Sequence, residues 1–195
     1  MQEPVRYTRV AIALHWLIAL AVIGLLLVGN VMADLERTDP LRPLLYGLHK
    51  SFGLCVLLAT LVRLAWRLTH RPPPLPAGMP GWEIKFISAS HGLFYALLLA
   101  VPLLGWAMSS SGEHPAPILL FGTIPWPLMP VLPELAPESR KPVHELLEDA
   151  HGAVAYVMAG LLVLHIAGAL RHRLLLKDGL AERMLPEFLT GRKKG

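Results

Sequence analysis

The sequence predicts an all-α fold, an integral membrane four-helix bundle with both termini in the cytoplasm. Three observations carry that expectation. Of the 195 residues, 54% are hydrophobic and only 16% charged, against roughly 25% charged in soluble domains, and mean hydropathy is +0.50. The apolar residues gather into four segments, each long enough to supply the ~20 residues that carry a helix across a bilayer. Lys and Arg are shared unevenly among the stretches between those segments, as membrane topology requires.

The first span is expected near residues 10–32, behind Arg6 and Arg9. Val31-Met32-Ala33 resembles a small-residue cleavage site, but the apolar run exceeds the roughly 7–15 residues of a signal peptide, so a retained span is expected. The second and third spans lie near 48–69 and 86–109. They are joined by RPPPLPAGMPGW at 71–82, whose prolines and glycines exclude a continuous helix. The fourth, near 147–176, is longer than a bilayer needs and should project on the inner side. Connector 110–142 is proline-rich and is the largest region expected outside the membrane. No long-period repeat or low-complexity tract divides the chain, so residues 1–195 read as one membrane domain.

Charge sets the direction. With the N-terminus, the second connector and the C-terminal tail inside, those regions hold 13 of the 18 Lys and Arg residues. The positive-inside rule then places both termini in the cytoplasm. The net charge of +4 flanks apolar segments instead of forming one patch, so no nucleic-acid partner is expected. Cys55 is the single cysteine, which excludes a disulfide framework and a CxxCH attachment. Any haem would be held without thioether links.

Nine histidines are present, and intramembrane ionisable residues are usually functional. His151 and His165 stand 14 residues apart on the fourth span. A helix converts that step into about 21 Å of rise and about 40° of rotation. One helix face therefore offers two imidazoles, one near each side of the membrane. By depth, His49 at the start of the second span matches His151, and His15 in the first span matches His165. Paired imidazoles on facing helices hold planar haems in bundles. A zinc site needs about four ligands within roughly 2.0–2.3 Å of one point, and the depth spread opposes it. Separate hydrogen bonds to neighbouring helices would account for one such histidine more easily than for four at two matched depths.

Other residues are less constrained. His91 sits at the inner depth on the third span, so by depth it can replace His15 as partner to His165. His172 lies at the inner boundary, on nearly the face of His165. It reads as an interfacial histidine or as a contact or proton donor to a small molecule. His144 follows Pro142 and is expected outside the lipid, while His70 and His114 read as surface or loop residues. Small residues such as Gly29, Gly53, Gly105 and Gly160 allow close approach of helices or of a porphyrin. Arg63, Arg67 and Arg71 recur every four residues, as snorkelling anchors or partners of haem propionates.

Four pieces carry a resemblance: TRVAIALHWLIA, LHKSFGLCVLLATLVRLAWRL, SHGLFYALLL and HGAVAYVMAGLLVLHIAGALRHRLLLKDGLAERMLP. The chain resembles the bacterial cytochrome b561 family, small four-helix membrane cytochromes related to the b-type subunits of membrane hydrogenases. The most specific piece is the last, with HX13H, a further X6H and a KDG…RMLP tail. The resemblance implies two haem b groups per chain, the inner on His15 and His165 and the outer on His49 and His151, which settles the choice left open at His91. It implies a multi-pass protein of the bacterial inner membrane that oxidises periplasmic superoxide and reduces ubiquinone. His172 would then be the quinone-side position, with His91 a weaker neighbour.

Two alternatives stand beside superoxide oxidation. The periplasmic donor is expected to be superoxide or another electron donor; one alternative is an electron-transfer subunit serving a membrane dehydrogenase or hydrogenase, without a small-molecule donor of its own. The other is a transporter with a histidine proton relay. Steering an anion favours a positive outer mouth, yet the outer regions hold five basic and nine acidic residues. Lys50, Arg140 and Lys141 are the candidates for a local basic entrance.

Overall fold

The computed structural model describes residues 6–76, 78–113 and 115–186; the loop expectation for His114 lies outside the described residues. Four helices follow one another: α1 (Arg9–Asp34), α2 (Arg42–Thr69), α3 (Gly81–Ser110) and α4 (Pro137–Leu170). A π-helical turn over Arg171–Leu176 continues α4. All four are long and apolar enough to cross a membrane, the all-α architecture expected from hydropathy.

The helices extend beyond the apolar spans, for reasons that lie in their first turns. Thr8 caps α1 by accepting the Ala11 N–H at 3.2 Å. Before α2, the Asp39 carboxylate accepts the Leu41 N–H at 2.8 Å. Pro43 then occupies the opening turn, where a missing N–H costs nothing. Helix α4 begins at Pro137, well before its apolar stretch, and includes Pro142. The donor lost at Pro142 falls on the Glu138 carbonyl near the polar end of the helix, where the loss is cheap. His144 is accordingly helical, although it follows Pro142.

Close backbone packing runs in chain order, α1 on α2, α2 on α3 and α3 on α4. Leu97 of α3 packs with Met158 and Leu161 of α4 at mid-bundle, with Val22 of α1 against them. Outward faces are also apolar: Leu17, Leu20 and Leu27 of α1 and Val163 and Leu164 of α4 are exposed. That inversion suits a bundle whose solvent is lipid.

The two ends are closed differently. At one end the N-terminus, the second connector and the tail meet. Trp16 Nε1 donates to the Met184 carbonyl at 2.9 Å, and the Tyr7 N–H donates to Arg183 O at 3.3 Å. Trp16 is thereby a tie between α1 and the tail. At the other end, connector 110–142 folds into a hairpin that the sequence did not announce. Strands β1 (Ile118–Leu120) and β2 (Ile124–Trp126) pair antiparallel, with Leu120 opposite Ile124. The turn takes Phe121 and Gly122 into positive φ, a conformation that glycine supplies freely.

Three buried serines fasten this connector to the helices. Ser51 Oγ accepts the Phe121 N–H at 2.9 Å and donates to Gly47 O at 2.7 Å. Ser110 Oγ accepts the Met129 N–H at 2.9 Å and donates to Trp106 O. Ser111 donates to Met108 O at 3.0 Å and meets His144 Nδ1 at 3.3 Å. Ile118 packs on Leu54 and Leu57 of α2, with Trp106 and Trp126 beside them. Ser51→Ala should leave the Phe121 amide without its acceptor, at a cost of about 1–3 kcal/mol. Hydrogen exchange at that amide checks it: exchange should accelerate in the variant, and unchanged protection would contradict the anchoring role.

Candidate functional site

The site is built on α4, which brings His151 and His165 to opposite halves of the bundle. His165 faces His15 of α1 with ring centres 6.2 Å apart, and His151 faces His49 of α2, also at 6.2 Å. The His49–His151 pair is the one that depth selects; for His165, depth leaves both His15 and His91 open. His91 of α3 also reaches His165, at 5.7 Å, and Phe94 stands 5.2 Å from the same ring. The half toward the C-terminal tail therefore holds three imidazoles and the half toward the hairpin two. Among the described residues no three His, Cys, Asp or Glu side chains converge as a metal-binding group. A zinc-type centre is not assembled from them.

Hydrogen bonds define which ring nitrogen is available. His151 Nδ1 donates to the Val101 carbonyl at 3.0 Å, and His91 Nδ1 to Ile87 O at 2.7 Å. With Nδ1 carrying the proton, the lone pair sits on Nε2, the tautomer that metal-bound histidines adopt when the other nitrogen is held by a carbonyl. His49 Nδ1 is buried with no hydrogen-bond partner among the described residues.

Two glycines make room for the His49–His151 pair. A Cβ at Gly105 would stand 3.1 Å from His151 Cε1, and one at Gly29 would stand 3.3 Å from His49 Cε1. Any larger residue at 105 presses on the ring that Val101, one turn earlier, holds by its carbonyl. These glycines were legible as small residues; their specific neighbours were not. An imidazole nitrogen bonds a transition metal at about 2.0–2.1 Å, so two ligands on opposite sides of one iron hold ring centres roughly 6 Å apart. Both pairs meet that spacing. The facing imidazole donors of each pair would hold a planar iron cofactor, and Gly29 and Gly105 leave room for the His49 and His151 rings.

His172 is placed by the π-helical turn. The Lys177 N–H donates to His172 O at 2.7 Å, Lys177 adopts φ 51°, and Gly179 adopts φ 75°. The chain thus turns back, and Asp178 accepts from His172 Nδ1 at 2.7 Å. His172 is 6% exposed, and its Nε2 lies 3.5 Å from Oε1 of buried Glu83. Glu83 is held in turn by Arg171 at 2.6 Å. Sequence reading singled out His172 but missed Glu83 and Asp178. The KDG turn is the signal that points to Asp178, whereas nothing local points to Glu83.

The basic candidates at the hairpin end divide. Arg140 donates to the carbonyls of Pro133 at 2.7 Å and Leu135 at 3.1 Å, so its guanidinium braces the connector. Lys141 pairs with Glu145 at 3.9 Å on the surface. Lys50 is left as the basic residue beside His49.

Comparison with known proteins gives the family. A family model described as Prokaryotic cytochrome b561 matches residues 6–187. The chain is 30% identical over 183 residues to cytochrome b561 homolog 2 of Escherichia coli (strain K12), covering 93% of this chain and 92% of that protein. It is 32% identical over 192 residues to cytochrome b562 of Cereibacter sphaeroides, covering 94% and 97%. It is 24% identical over 184 residues to the probable superoxide oxidase CybB of Yersinia pestis, covering 93% and 97%.

The Asp178–His172 clasp carries a pH signature. Burial works against the Asp178 charge, but the Leu180 amide and the His172 ring outweigh it and hold the carboxyl below the usual carboxylate range. A carboxyl with a depressed folded value stabilises the fold above its unfolded value of about 3.9, and loses that contribution as pH falls through the folded value. Asp178→Asn should lower thermal stability near neutrality and flatten its decline below about pH 4. Melting curves across that range check the sign, and an acid limb identical to the parent's would contradict it.

Proposed function

The chain belongs to the prokaryotic cytochrome b561 family, whose members are haem b membrane electron-transfer proteins, and from that premise we propose a two-haem path across the membrane. His15 and His165 hold the inner haem b, and His49 and His151 hold the outer one. Both termini lie in the cytoplasm of the inner-membrane protein, and the hairpin end faces the periplasm. The observation that carries this reading is the pair of facing imidazoles at each of two depths along α4. Haem b, when bound, accepts and releases one electron at a time.

The residues of the chain do the rest. With haem bound, His15 and His165 would both hold the iron of one group and His49 and His151 that of the other, so the irons would pass electrons and not bind oxygen. The Val101 carbonyl fixes the His151 ring and its tautomer. The connector pinned by Ser51, Ser110 and Ser111 covers the outer ends of α2 and α3. In the superoxide reading, two superoxide anions yield two molecules of oxygen and two electrons on the periplasmic side. One ubiquinone takes those electrons and two protons on the cytoplasmic side. His172 is the quinone-side proton donor, with His91 beside the inner pair. Asp178 holds His172 in one orientation. Support for superoxide comes from the relative named a probable superoxide oxidase and from Lys50 next to His49.

One observation favours a second reading, an electron-transfer subunit of a membrane dehydrogenase or hydrogenase. Arg140 is committed to connector carbonyls and Lys141 pairs with Glu145, so of the three candidate basic residues only Lys50 stands beside the outer pair without such a tie. Mixing superoxide with the oxidised protein, with and without ubiquinone, separates the two. Fast haem reduction that quinone then reverses supports the first reading; its absence turns the assignment to the second.

Ligand assignment has its own test. His49→Ala and His165→Ala should each remove about one haem and leave the other, measured as haem per chain. Gly105→Val should weaken the outer haem selectively by displacing the His151 ring. Retention of both haems in both alanine variants would refute the pairing.

A further inference from the structure

We propose that the Ile118–Trp126 hairpin lies in the acyl–head-group boundary of the leaflet at its end of the bundle, with phospholipid covering its outward face. Residues 115–133 contain no Asp, Glu, Lys, Arg or His. A soluble stretch of that length would carry about five Asp, Glu, Lys or Arg residues. The hairpin buries Ile118 against Leu54 and Leu57 and turns other apolar side chains outward. Leu119 is 50% exposed, Phe121 49% and Ile124 60%. Clustered exposed apolar groups of this kind mark a surface that a membrane or a partner covers.

Position along α2 selects the membrane. Ser51, whose Oγ accepts the Phe121 amide, lies nine residues beyond the start of α2 at Arg42, about 13 Å along the axis. Leu54 and Leu57 lie deeper still. The hairpin thus stands against the flank of α2, beside apolar sequence, and does not sit above the helix end. On that flank Phe52 is exposed, with its ring 5.3 Å from that of Phe121. Cys55 and Val62, within about 80° of Phe52 around the axis, continue the exposed surface along the helix. The outward face of the hairpin is therefore continuous with the lipid face of the bundle.

The polar groups of the turn suit such a setting, because backbone N–H groups in lipid must be bonded within the protein. The amides of Phe121, Gly122 and Thr123 all are. They donate to Ser51 Oγ at 2.9 Å, Leu119 O at 3.2 Å and Leu120 O at 3.1 Å. The Thr123 hydroxyl donates to Leu120 O at 3.3 Å. Six prolines within 115–133 contribute no N–H at all. Trp106 and Trp126 stand 5.7 Å apart beside the hairpin, and Trp106 Nε1 donates to Pro127 O at 2.9 Å. Tryptophan is the residue enriched at membrane–water boundaries. Charge returns at Glu134, Glu138, Arg140 and Lys141, where the connector enters α4. A soluble partner would be recognised by that charged stretch; the hairpin flank offers it none.

Nitroxide labels at Leu119→Cys and, separately, Ile124→Cys test the proposal, in a Cys55→Ser background of the haem-loaded, full-length protein in phosphatidylethanolamine–phosphatidylglycerol vesicles. Electron paramagnetic resonance power saturation compares collision with oxygen, which concentrates in lipid, and with a water-soluble nickel chelate. Both sites should favour oxygen, several-fold above a label at Lys141→Cys and close to one at Val62→Cys on the lipid face of α2. A nickel-dominated ratio like that at Lys141→Cys puts the hairpin in water and overturns the proposal. Shielding from both reagents also overturns it, and assigns the patch to a second copy of the chain. Haem content and circular dichroism equal to the parent's identify the labelled variants that keep the fold, and either site alone decides the outcome.

Discussion

An imidazole in a hydrocarbon environment must find partners for both ring nitrogens, and α4 places two such rings on nearly one face. Much of the bundle answers that demand. Helix α1 brings His15 to His165, α2 brings His49 to His151, and α3 supplies carbonyls, a third imidazole and the glycine against which His151 rests. The rise of the α-helix converts residue spacing into depth, so the two pairs are separated by the geometry of one helix. A ligand system built this way resists drift, because moving one ring along α4 moves the other with it.

The two ends of the bundle serve different chemistry. At the hairpin end, backbone groups of a long connector are bonded by Ser51, Ser110 and Arg140, and apolar side chains of β1 and β2 close over α2 and α3. The opposite end is dominated by charge. Glu83, Arg171, His172 and Asp178 form one connected group. The proposed reading, in which electrons enter at one face and leave with protons at the other, would use this asymmetry. The buried, connected protonatable groups, Glu83 and His172, lie where the quinone reading places proton uptake.

Sequence pattern reached the four paired histidines because helical depth is arithmetic and the apolar spans are long. It reached His172 for the same reason. Rotation about each helix axis is not encoded so simply, which is why Glu83 of α3 was not connected with His172 of α4. Strands of three residues are too short for a period-two signal, so the Ile118–Trp126 hairpin was hidden within a proline-rich connector. Helix ends moved outward from the apolar limits because Pro43 and Pro137 open helices in polar sequence. Hydropathy gives no sign of the bond from Trp16 to the tail at Met184. The Lys-Asp-Gly turn was visible as a motif, but its use in bringing Asp178 back onto His172 required the positive φ values at Lys177 and Gly179.

The central claim is that each imidazole pair holds one haem iron from both sides. Low-temperature electron paramagnetic resonance of the oxidised, full-length protein, with iron and haem quantified on the same sample, tests it most directly. The account predicts two low-spin ferric haems per chain, each with the signature of two imidazole ligands. A single haem per chain, or a high-spin signal from a five-coordinate iron in the intact protein, would contradict it.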